Sequence, residues 1–172
     1  HDVSRVASAC DSQQKVEQAL TALLLAPGTP MVTYGTESGL AGAKEPDNRA
    51  DMVFENTPLA AKIGDVLAVR RDNPALYAGQ RRSLDVSSEH WVDLRFSQTQ
   101  SAAVIANFSR VSKTVTLPWT SGALPLSGAS WQEAKLIVEP MTTTVSLAPE
   151  PVTVANQTQT IQWAEPKKQG EG

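Results

Sequence analysis

Four residues in the first fifty positions carry polar or charged side chains that could bind a ligand. Asp2 is a carboxylate, a strong acceptor-only group that can hold two neighbouring hydroxyls. His1 stands beside it and offers an imidazole N–H to a ligand oxygen. Arg49 adds a planar fork of donors that suits hydroxyls or a carboxylate, and Glu45 precedes it in the same segment. Glu45 and Arg49 also have a second interpretation, as an ion pair that holds a loop.

Other residues that could do chemistry are better explained by structure. Stacking of the tryptophans on a ligand is conceivable, but burial in a β core is favoured because each buries a large area. The tryptophans are Trp91, Trp119, Trp131 and Trp163. His90 has no metal-ligating neighbours in the sequence and is expected to face solvent from a strand. Arg5, Tyr34 and Glu37 are expected to be structural, with Tyr34 in the core.

Two helices are predicted in the first part of the chain. Residues 11–26 have Asp11 or Ser12 as an N-cap, and Pro27 with Gly28 ends the helix. Its apolar face comprises Val16, Ala19, Leu20, Leu23 and Leu24. A second helix is predicted from residue 59 to about residue 71. Its face comprises Leu59, Ile63, Val66, Leu67 and Arg70.

Between these helices the sequence predicts a strand and then a long loop. Residues 30–34 read as a short buried strand, and a helix followed by such a strand favours a parallel α/β architecture. Residues 37–58 are rich in glycine, proline and other turn formers. A loop of this length inside a compact domain is usually functional, and it contains both Glu45 and Arg49.

From about residue 77 the pattern changes to short strands separated by turns, which is typical of an antiparallel sandwich or barrel. In the first of them Val92, Leu94 and Phe96 share one side. The predicted strands are residues 90–96, 101–108, 113–117, 135–139, 144–147, 152–154 and 158–163. The polar residues at the end of the chain predict a disordered tail.

Composition excludes several classes of protein. The 172 residues contain one cysteine, Cys10, so no intramolecular disulfide forms. Fifteen basic and eighteen acidic residues give a net charge of −3, which argues against a nucleic-acid or anionic-membrane surface. No apolar run reaches the ~20 residues that a spanning helix needs. No metal-ligand spacing and no cofactor motif is evident. Two glycosylation sequons, at Asn107 and Asn156, have meaning only in a eukaryotic secreted protein.

A set of motifs in order resembles one enzyme family over nearly the whole chain, to about Val154. These are His1-Asp2, then Pro27-Gly-Thr-Pro-Met-Val-Thr-Tyr-Gly-Thr-Glu37, then Ala41-Gly-Ala-Lys-Glu-Pro-Asp-Asn-Arg49. They resemble the end of the catalytic barrel of the α-amylase family, glycoside hydrolase family 13. Segments 104–109 and 114–118 resemble the β domain that follows the barrel, often called domain C.

The resemblance implies an α/β region followed by an all-β region. Residues 1–76 would be the last part of a (β/α)₈ TIM barrel, from the end of strand 7 to helix 8. Residues 77–163 would be an antiparallel Greek-key β-sandwich, domain C, and 164–172 the tail. The sequence departs from the family at two points: Thr33-Tyr34 replaces a paired tyrosine, and Glu45 replaces the usual aspartate.

The resemblance also implies site roles. Asp2 would be the transition-state-stabilising carboxylate of a retaining glycosidase, and His1, Glu45 and Arg49 would bind substrate. The nucleophile and the acid/base would precede His1, so the segment alone is expected to be inactive and to need the rest of the barrel. The partner would be an α-1,4-glucan such as starch. Calcium is possible in the full-length parent, which is expected to be secreted or periplasmic, although this segment carries no signal peptide.

Three alternatives to an α-amylase-like hydrolase stay open. In a glucanotransferase of the same family, a sugar instead of water attacks the intermediate. Some relatives with this barrel are non-catalytic binding or interaction proteins; retention of His1, Asp2 and Arg49 argues against that class. An independent β-sandwich binding module is made unnecessary by the amylase-like first half.

Overall fold

The computed structural model describes residues 3–152, and these divide into two compact units between Arg70 and Arg71. The sequence places the domain boundary after residue 76. The interpretation of the units as a barrel end and domain C stays a prediction. His1, Asp2, the strand predicted at 158–163, most of that predicted at 152–154, Trp163, the second sequon and the tail lie outside the described residues.

The first unit is built from helices. The elements are α1 (Val6–Ala9), α2 (Gln13–Leu25), a 3₁₀ helix (Asp47–Arg49) and α3 (Pro58–Asp72), whose last two residues belong to the second unit. The Ser12 hydroxyl caps α2 by accepting from the Lys15 amide at 3.3 Å, and the Thr57 hydroxyl accepts from the Ala60 amide at 3.0 Å at the start of α3. Both predicted helices are therefore confirmed. Val16, Leu20 and Leu59 pack together between them.

One buried arginine closes the carboxyl end of α2. Arg70 of α3 donates from Nη1 to the carbonyls of Leu24 at 2.8 Å and Ala26 at 2.9 Å, and from Nη2 to that of Gly28 at 2.5 Å. These carbonyls have no partners further along the helix, and a cation complements the negative end of its dipole. Burial lowers the pKa of the Arg70 guanidinium, which nevertheless stays protonated.

Part of the predicted apolar faces is exposed. Leu23 is 42% exposed and Leu67 is 43% exposed, and Ala19 is exposed as well. The strand predicted at residues 30–34 is wrong, because the segment forms no strand in the structure and Met31 is 87% exposed. A parallel strand needs neighbours for its backbone groups, and no strand within residues 3–152 pairs with this segment. The core position predicted for Tyr34 is wrong for the same reason, since its side chain is exposed.

The second unit begins with α4 (Pro74–Tyr77) and continues as seven antiparallel strands in two sheets. The larger sheet has the order β1-β2-β3-β7 and the smaller has the order β4-β6-β5. The strands are β1 (Gln80–Val86), β2 (His90–Phe96), β3 (Ser101–Asn107), β4 (Lys113–Val115), β5 (Ala129–Gln132), β6 (Lys135–Val138) and β7 (Thr142–Leu147). The sequence did not predict β1 and β5, both of which lie at sheet edges. β1 carries mostly polar residues, and β5 is only four residues long.

Residues from both sheets form one core cluster. Val92 of β2 lies opposite Ile105 of β3, and these pack with Leu136 and Val138 of β6 and with Trp119. The Trp119 indole donates to the Ser146 hydroxyl at 2.9 Å, so its polar end is satisfied inside the core. Burial of Trp119 confirms the structural interpretation of this tryptophan.

The other face of β2 is also buried, which its alternating sequence did not predict. Asp93 is fully buried and binds Arg81 Nε at 2.5 Å, Ser83 Oγ at 2.6 Å and Arg95 Nη2 at 3.1 Å. Burial raises the pKa of the Asp93 carboxyl, but hydrogen bonds from Arg81, Ser83 and Trp91 and the Arg81 charge outweigh it, so the pKa is lowered overall. The carboxylate is thus ionised and paired inside the unit.

Two further polar residues are fixed inside the second unit. The buried Asn107 amide donates to the carbonyls of Val111, Val138 and Glu139 at 2.8–3.2 Å, so the first sequon presents no free amide nitrogen. His90 was predicted to face solvent, and this prediction is wrong because the residue is half-buried. Its Nε2 lies 2.8 Å from Asp85 Oδ2 and its Nδ1 lies 3.1 Å from Ser87 Oγ, because the β1–β2 turn folds back over the ring.

Candidate functional site

The loop that carries Glu45 and Arg49 winds into a single helical turn. The amide of Asn48 donates to the Lys44 carbonyl at 3.0 Å, and that of Arg49 donates to the Pro46 carbonyl at 2.9 Å. This winding brings positions 45 and 49 to the same side, where Glu45 Oε1 and Arg49 Nη2 form an ion pair. Both side chains are about half exposed, so the charged groups face a surface where a ligand has access.

The segment after His1 and Asp2 is hydrogen-bonded to this loop along its length. The Val3 carbonyl accepts from Asn48 Nδ2 at 3.3 Å, Ser4 Oγ donates to the Ala43 carbonyl at 2.6 Å, and the Arg5 amide donates to the Gly42 carbonyl at 2.9 Å. The structure therefore holds residues 3–5 against the loop that contains Glu45 and Arg49. His1 and Asp2 themselves lie outside the described residues, so their predicted roles stay predictions.

Arg5 connects three parts of this region. Its Nε donates to the Asn48 carbonyl at 2.8 Å and its Nη1 donates to the Tyr34 carbonyl at 2.7 Å. The guanidinium also lies over the Tyr34 ring, 4.7 Å from the ring centre, which is a cation–π geometry. The Tyr34 hydroxyl in turn donates to the carbonyl of Ala50 at 3.2 Å. Arg5 is thus structural, as the sequence predicts, and Tyr34 supports the loop from outside the core.

Gly42 and Asn48 also shape this site, although their residue types alone predict no role there. A Cβ at Gly42 would stand 2.5 Å from the Asn48 backbone. Only glycine therefore lets these two parts of the loop approach each other so closely. Asn48 is buried although asparagine is usually exposed. The signal available in the sequence was the glycine and the short polar residue inside one run of turn formers.

A groove of about 180 Å³ opens beside Arg5 in the first unit. Its walls include Val3, Leu20, Leu23 and Met31, and three of these apolar side chains are 42–87% exposed. Arg5 itself is 7% exposed, and its Nη2 is buried with no hydrogen-bond partner among residues 3–152. A buried charged donor without an acceptor is costly, so this side of the Arg5 guanidinium is unfavourably placed.

The described residues offer no metal centre and no spanning helix. Within residues 3–152 no three His, Cys, Asp or Glu side chains cluster in a way that could hold a metal ion. Over the same range, no helix combines the length and apolarity needed to cross a membrane.

Solved structures show which fold the chain shares. The chain superposes on a debranching enzyme from Nostoc punctiforme with a TM-score of 0.71, 21% identity, and coverage of 85% of this chain and 32% of that one. It superposes on an Anoxybacillus α-amylase with a TM-score of 0.68, 24% identity, and coverage of 83% and 33%. The fold is therefore one found within α-amylase-family enzymes.

Curated relatives narrow the identification. The chain is 32% identical over 128 residues to a cyclomaltodextrin glucanotransferase of Niallia circulans, covering 73% of this chain and 18% of that enzyme. It is 34% identical over 131 residues to a Paenibacillus macerans glucanotransferase, covering 75% and 17%. No protein-family model matches. The chain belongs to the α-amylase family, glycoside hydrolase family 13, and spans less than a fifth of the length of these relatives.

Proposed function

We propose that this chain is a segment of a retaining α-glucan-active enzyme that acts on α-1,4-glucosidic bonds of starch and maltooligosaccharides. In this proposal Asp2 accepts hydrogen bonds from two neighbouring sugar hydroxyls, and these bonds strengthen as the oxocarbenium-like transition state forms. His1 donates to a sugar oxygen beside it. The observation that carries the proposal is the row of hydrogen bonds between residues 3–5 and the loop bearing Glu45 and Arg49.

The exposed ion pair supplies the second half of this binding surface. Arg49 has donors in a planar fork and Glu45 has two acceptor oxygens, so together they can satisfy adjacent hydroxyls that both donate and accept. Because the pair is already formed, little side-chain entropy would be lost when a sugar binds.

The remaining machinery would come from other parts of the parent. A retaining glycosidase needs a nucleophile and an acid/base, which the family places on earlier barrel strands. The exposed apolar wall at Leu23 and Met31 and the unpartnered Nη2 of Arg5 support further barrel strands as the missing neighbours of the first unit. In the same proposal the two sheets of the second unit are the Greek-key sandwich of domain C.

A glucanotransferase is the second candidate, and the names of the curated relatives favour it. It differs only in the acceptor that attacks the sugar–enzyme intermediate. Incubation of the parent with maltoheptaose separates the two reactions, because a hydrolase releases new reducing ends whereas a transferase forms longer or cyclic products.

The test of Asp2 is an Asp2→Asn variant of the full-length parent. We expect kcat and kcat/KM to fall together by about 1,000-fold or more, because the carboxylate acts in the transition state. Asp11→Asn is the matched control, since Asp11 is exposed and binds Lys15 on α2. A near-normal kcat in the Asp2 variant would remove this residue from the catalytic set. The 172-residue chain alone is expected to show no turnover of the same substrates.

A further inference from the structure

An aspartate, a histidine and a serine meet at the turn between β1 and β2 of the second unit. His90 lies between the other two: its Nε2 is 2.8 Å from Asp85 Oδ2, and its Nδ1 is 3.1 Å from Ser87 Oγ. We call these three residues the turn triad. Their order is that of activated serine nucleophiles, in which a carboxylate orients an imidazole and the imidazole binds the hydroxyl.

The carboxylate determines which ring nitrogen carries the proton. An ionised carboxylate can only accept hydrogen bonds, so the Nε2 of His90 is the protonated nitrogen that donates to Asp85. In the neutral ring Nδ1 then carries a lone pair, and the Ser87 hydroxyl donates to it. The proton of Ser87 is thus directed at a base that can remove it.

Two main-chain amides hold the Ser87 oxygen in place. The amide of Glu89 donates to Ser87 Oγ at 3.1 Å, and the amide of His90 donates to it at 3.2 Å. Both amides stabilise the negative charge that develops on the oxygen when its proton leaves. Both contacts are longer than the usual ~2.9–3.0 Å, so one of them can open and leave a lone pair for attack on an electrophile.

The turn is fixed on both sides and its serine is open to solvent. The Ser87 amide donates to the His90 carbonyl at 2.9 Å, and the Phe108 amide donates to the Glu89 carbonyl at 2.7 Å, which ties the turn to the end of β3. Ser87 is exposed, whereas the His90 side chain is only 14% exposed. The nucleophile is therefore accessible while its base is held in position.

We propose that Ser87 is an activated serine that takes up an acyl or phosphonyl group from a small electrophilic ester or fluoride. Ser87 Oγ forms a bond to the electrophilic carbon or phosphorus, and the bond from that atom to the leaving group breaks. The leaving group departs with the electron pair, and the hydroxyl proton passes to His90 Nδ1 and then to water. Asp85 positions His90. The inference does not depend on the proposed function, because Glu45 and Arg49 belong to the first unit.

The test is labelling of the 172-residue chain with an alkyl fluorophosphonate, followed by peptide mapping with mass spectrometry. The reagent loses fluoride when the serine oxygen bonds to its phosphorus. We expect Ser87 to be labelled at least about 100-fold faster than Ser88, because a positioned general base typically contributes about 10²–10⁴-fold. Ser88 is the matched control, since it is the neighbouring serine and is equally open to solvent. Equal labelling of the two serines, or no labelling of Ser87, would overturn the proposal.

Two variants separate activation of Ser87 from a structural role of the turn. His90→Ala should slow labelling of Ser87 about 100-fold, and added imidazole should restore part of the rate because it can act as the base that the variant lacks. Asp85→Asn should slow labelling at least about tenfold, and Asp85→Glu should recover part of that loss because a carboxylate again accepts from Nε2. An unchanged rate in His90→Ala, or a loss that imidazole does not restore, would show that His90 is not the base.

Discussion

The two units reach a folded state by different means. In the second unit, backbone pairing in two sheets and a shared apolar core enclose the large side chains, with Leu136, Val92 and Val138 fully buried. In the first unit, two arginines hold separate segments by donating to main-chain carbonyls, and apolar side chains such as Met31 remain exposed. A structure held by a few buried cations depends on single residues, whereas a sheet distributes its stability over many.

The largest effect is expected from a buried side chain of the second unit that joins β3 to the end of β6. Asn107→Ala removes an amide group that donates to three carbonyls and accepts from the amide and the hydroxyl of Ser109. We expect a loss of about 4 kcal/mol in the free energy of unfolding, because each lost hydrogen bond costs about 0.5–1.5 kcal/mol. Tryptophan fluorescence reports this loss selectively, since all four tryptophans follow residue 90.

Ser109→Ala is the control for this variant. It removes a hydroxyl that binds Asn107 Oδ1 but leaves the three carbonyl contacts in place, so a loss of about 1 kcal/mol is expected. Similar losses in both variants would show that the Asn107 amide does not hold β3 to β6.

In the first unit the corresponding residue is Arg70. Arg70→Met keeps most of the aliphatic volume but deletes the three bonds to the end of α2, so a loss of about 3 kcal/mol is expected. The adjacent Arg71→Met is the matched control, because Arg71 is exposed and binds only its neighbour Asp72 among the contacts described. Circular dichroism at 222 nm follows the helices, which belong mainly to the first unit. Equal melting temperatures of the two variants would show that Arg70 does not stabilise the end of α2.

Amide hydrogen exchange of the chain tests whether the second unit is more stable than the first. We expect amides of β3, which is buried at every position, to be protected about 100-fold more than those of α2. The physical reason is that α2 exposes Ala19 and Leu23, so less apolar burial opposes its opening. Equal, strong protection over residues 11–34 would show that the first unit is self-sufficient, and the truncated-barrel interpretation would then be abandoned.

These tests also mark where the sequence was informative. Helical periodicity and the Ser12 cap predicted α2 and α3 correctly because such signals are local. The segment 30–34 has the composition of a buried strand, yet strand formation needs a partner that its own residues do not supply. The burial of Asp93 and Arg95 was not predicted for a related reason. Alternation of apolar and polar residues defines the two faces of a strand, but it does not show whether another part of the chain covers the polar face.

In the candidate site, too, local contacts could be predicted from the sequence and long-range contacts could not. The i,i+4 spacing of Glu45 and Arg49 was enough to suggest their ion pair, which the structure contains. The contacts that position the pair are non-local, since Arg5 and Val3 bind a loop some forty residues away in sequence. No short-range pattern encodes such contacts, so the supporting roles of Gly42 and Asn48 emerge only from the fold.

The smallest expected effect is on the pH dependence of the second unit. The folded-state pKa of Asp93 lies below the ordinary value of 3.8, so its ionised form contributes stability that is fully present above that value. This contribution is lost as the pH falls through the lower, folded-state pKa. Urea unfolding followed by tryptophan fluorescence between about pH 5 and pH 2 should therefore show a shallower acid decline in Asp93→Asn than in the unaltered chain.

The control is Asp72→Asn, which removes an exposed carboxylate whose hydrogen bond with Arg71 lowers its pKa. Because solvent screens that pair, the acid slope of the second unit should stay unchanged. Identical slopes in Asp93→Asn and the unaltered chain would mean that the pKa of Asp93 is the same in the folded and the unfolded chain. The bonds from Arg81 and Ser83 would then not stabilise the ionised carboxylate in the fold, which would contradict the pairing described for the second unit.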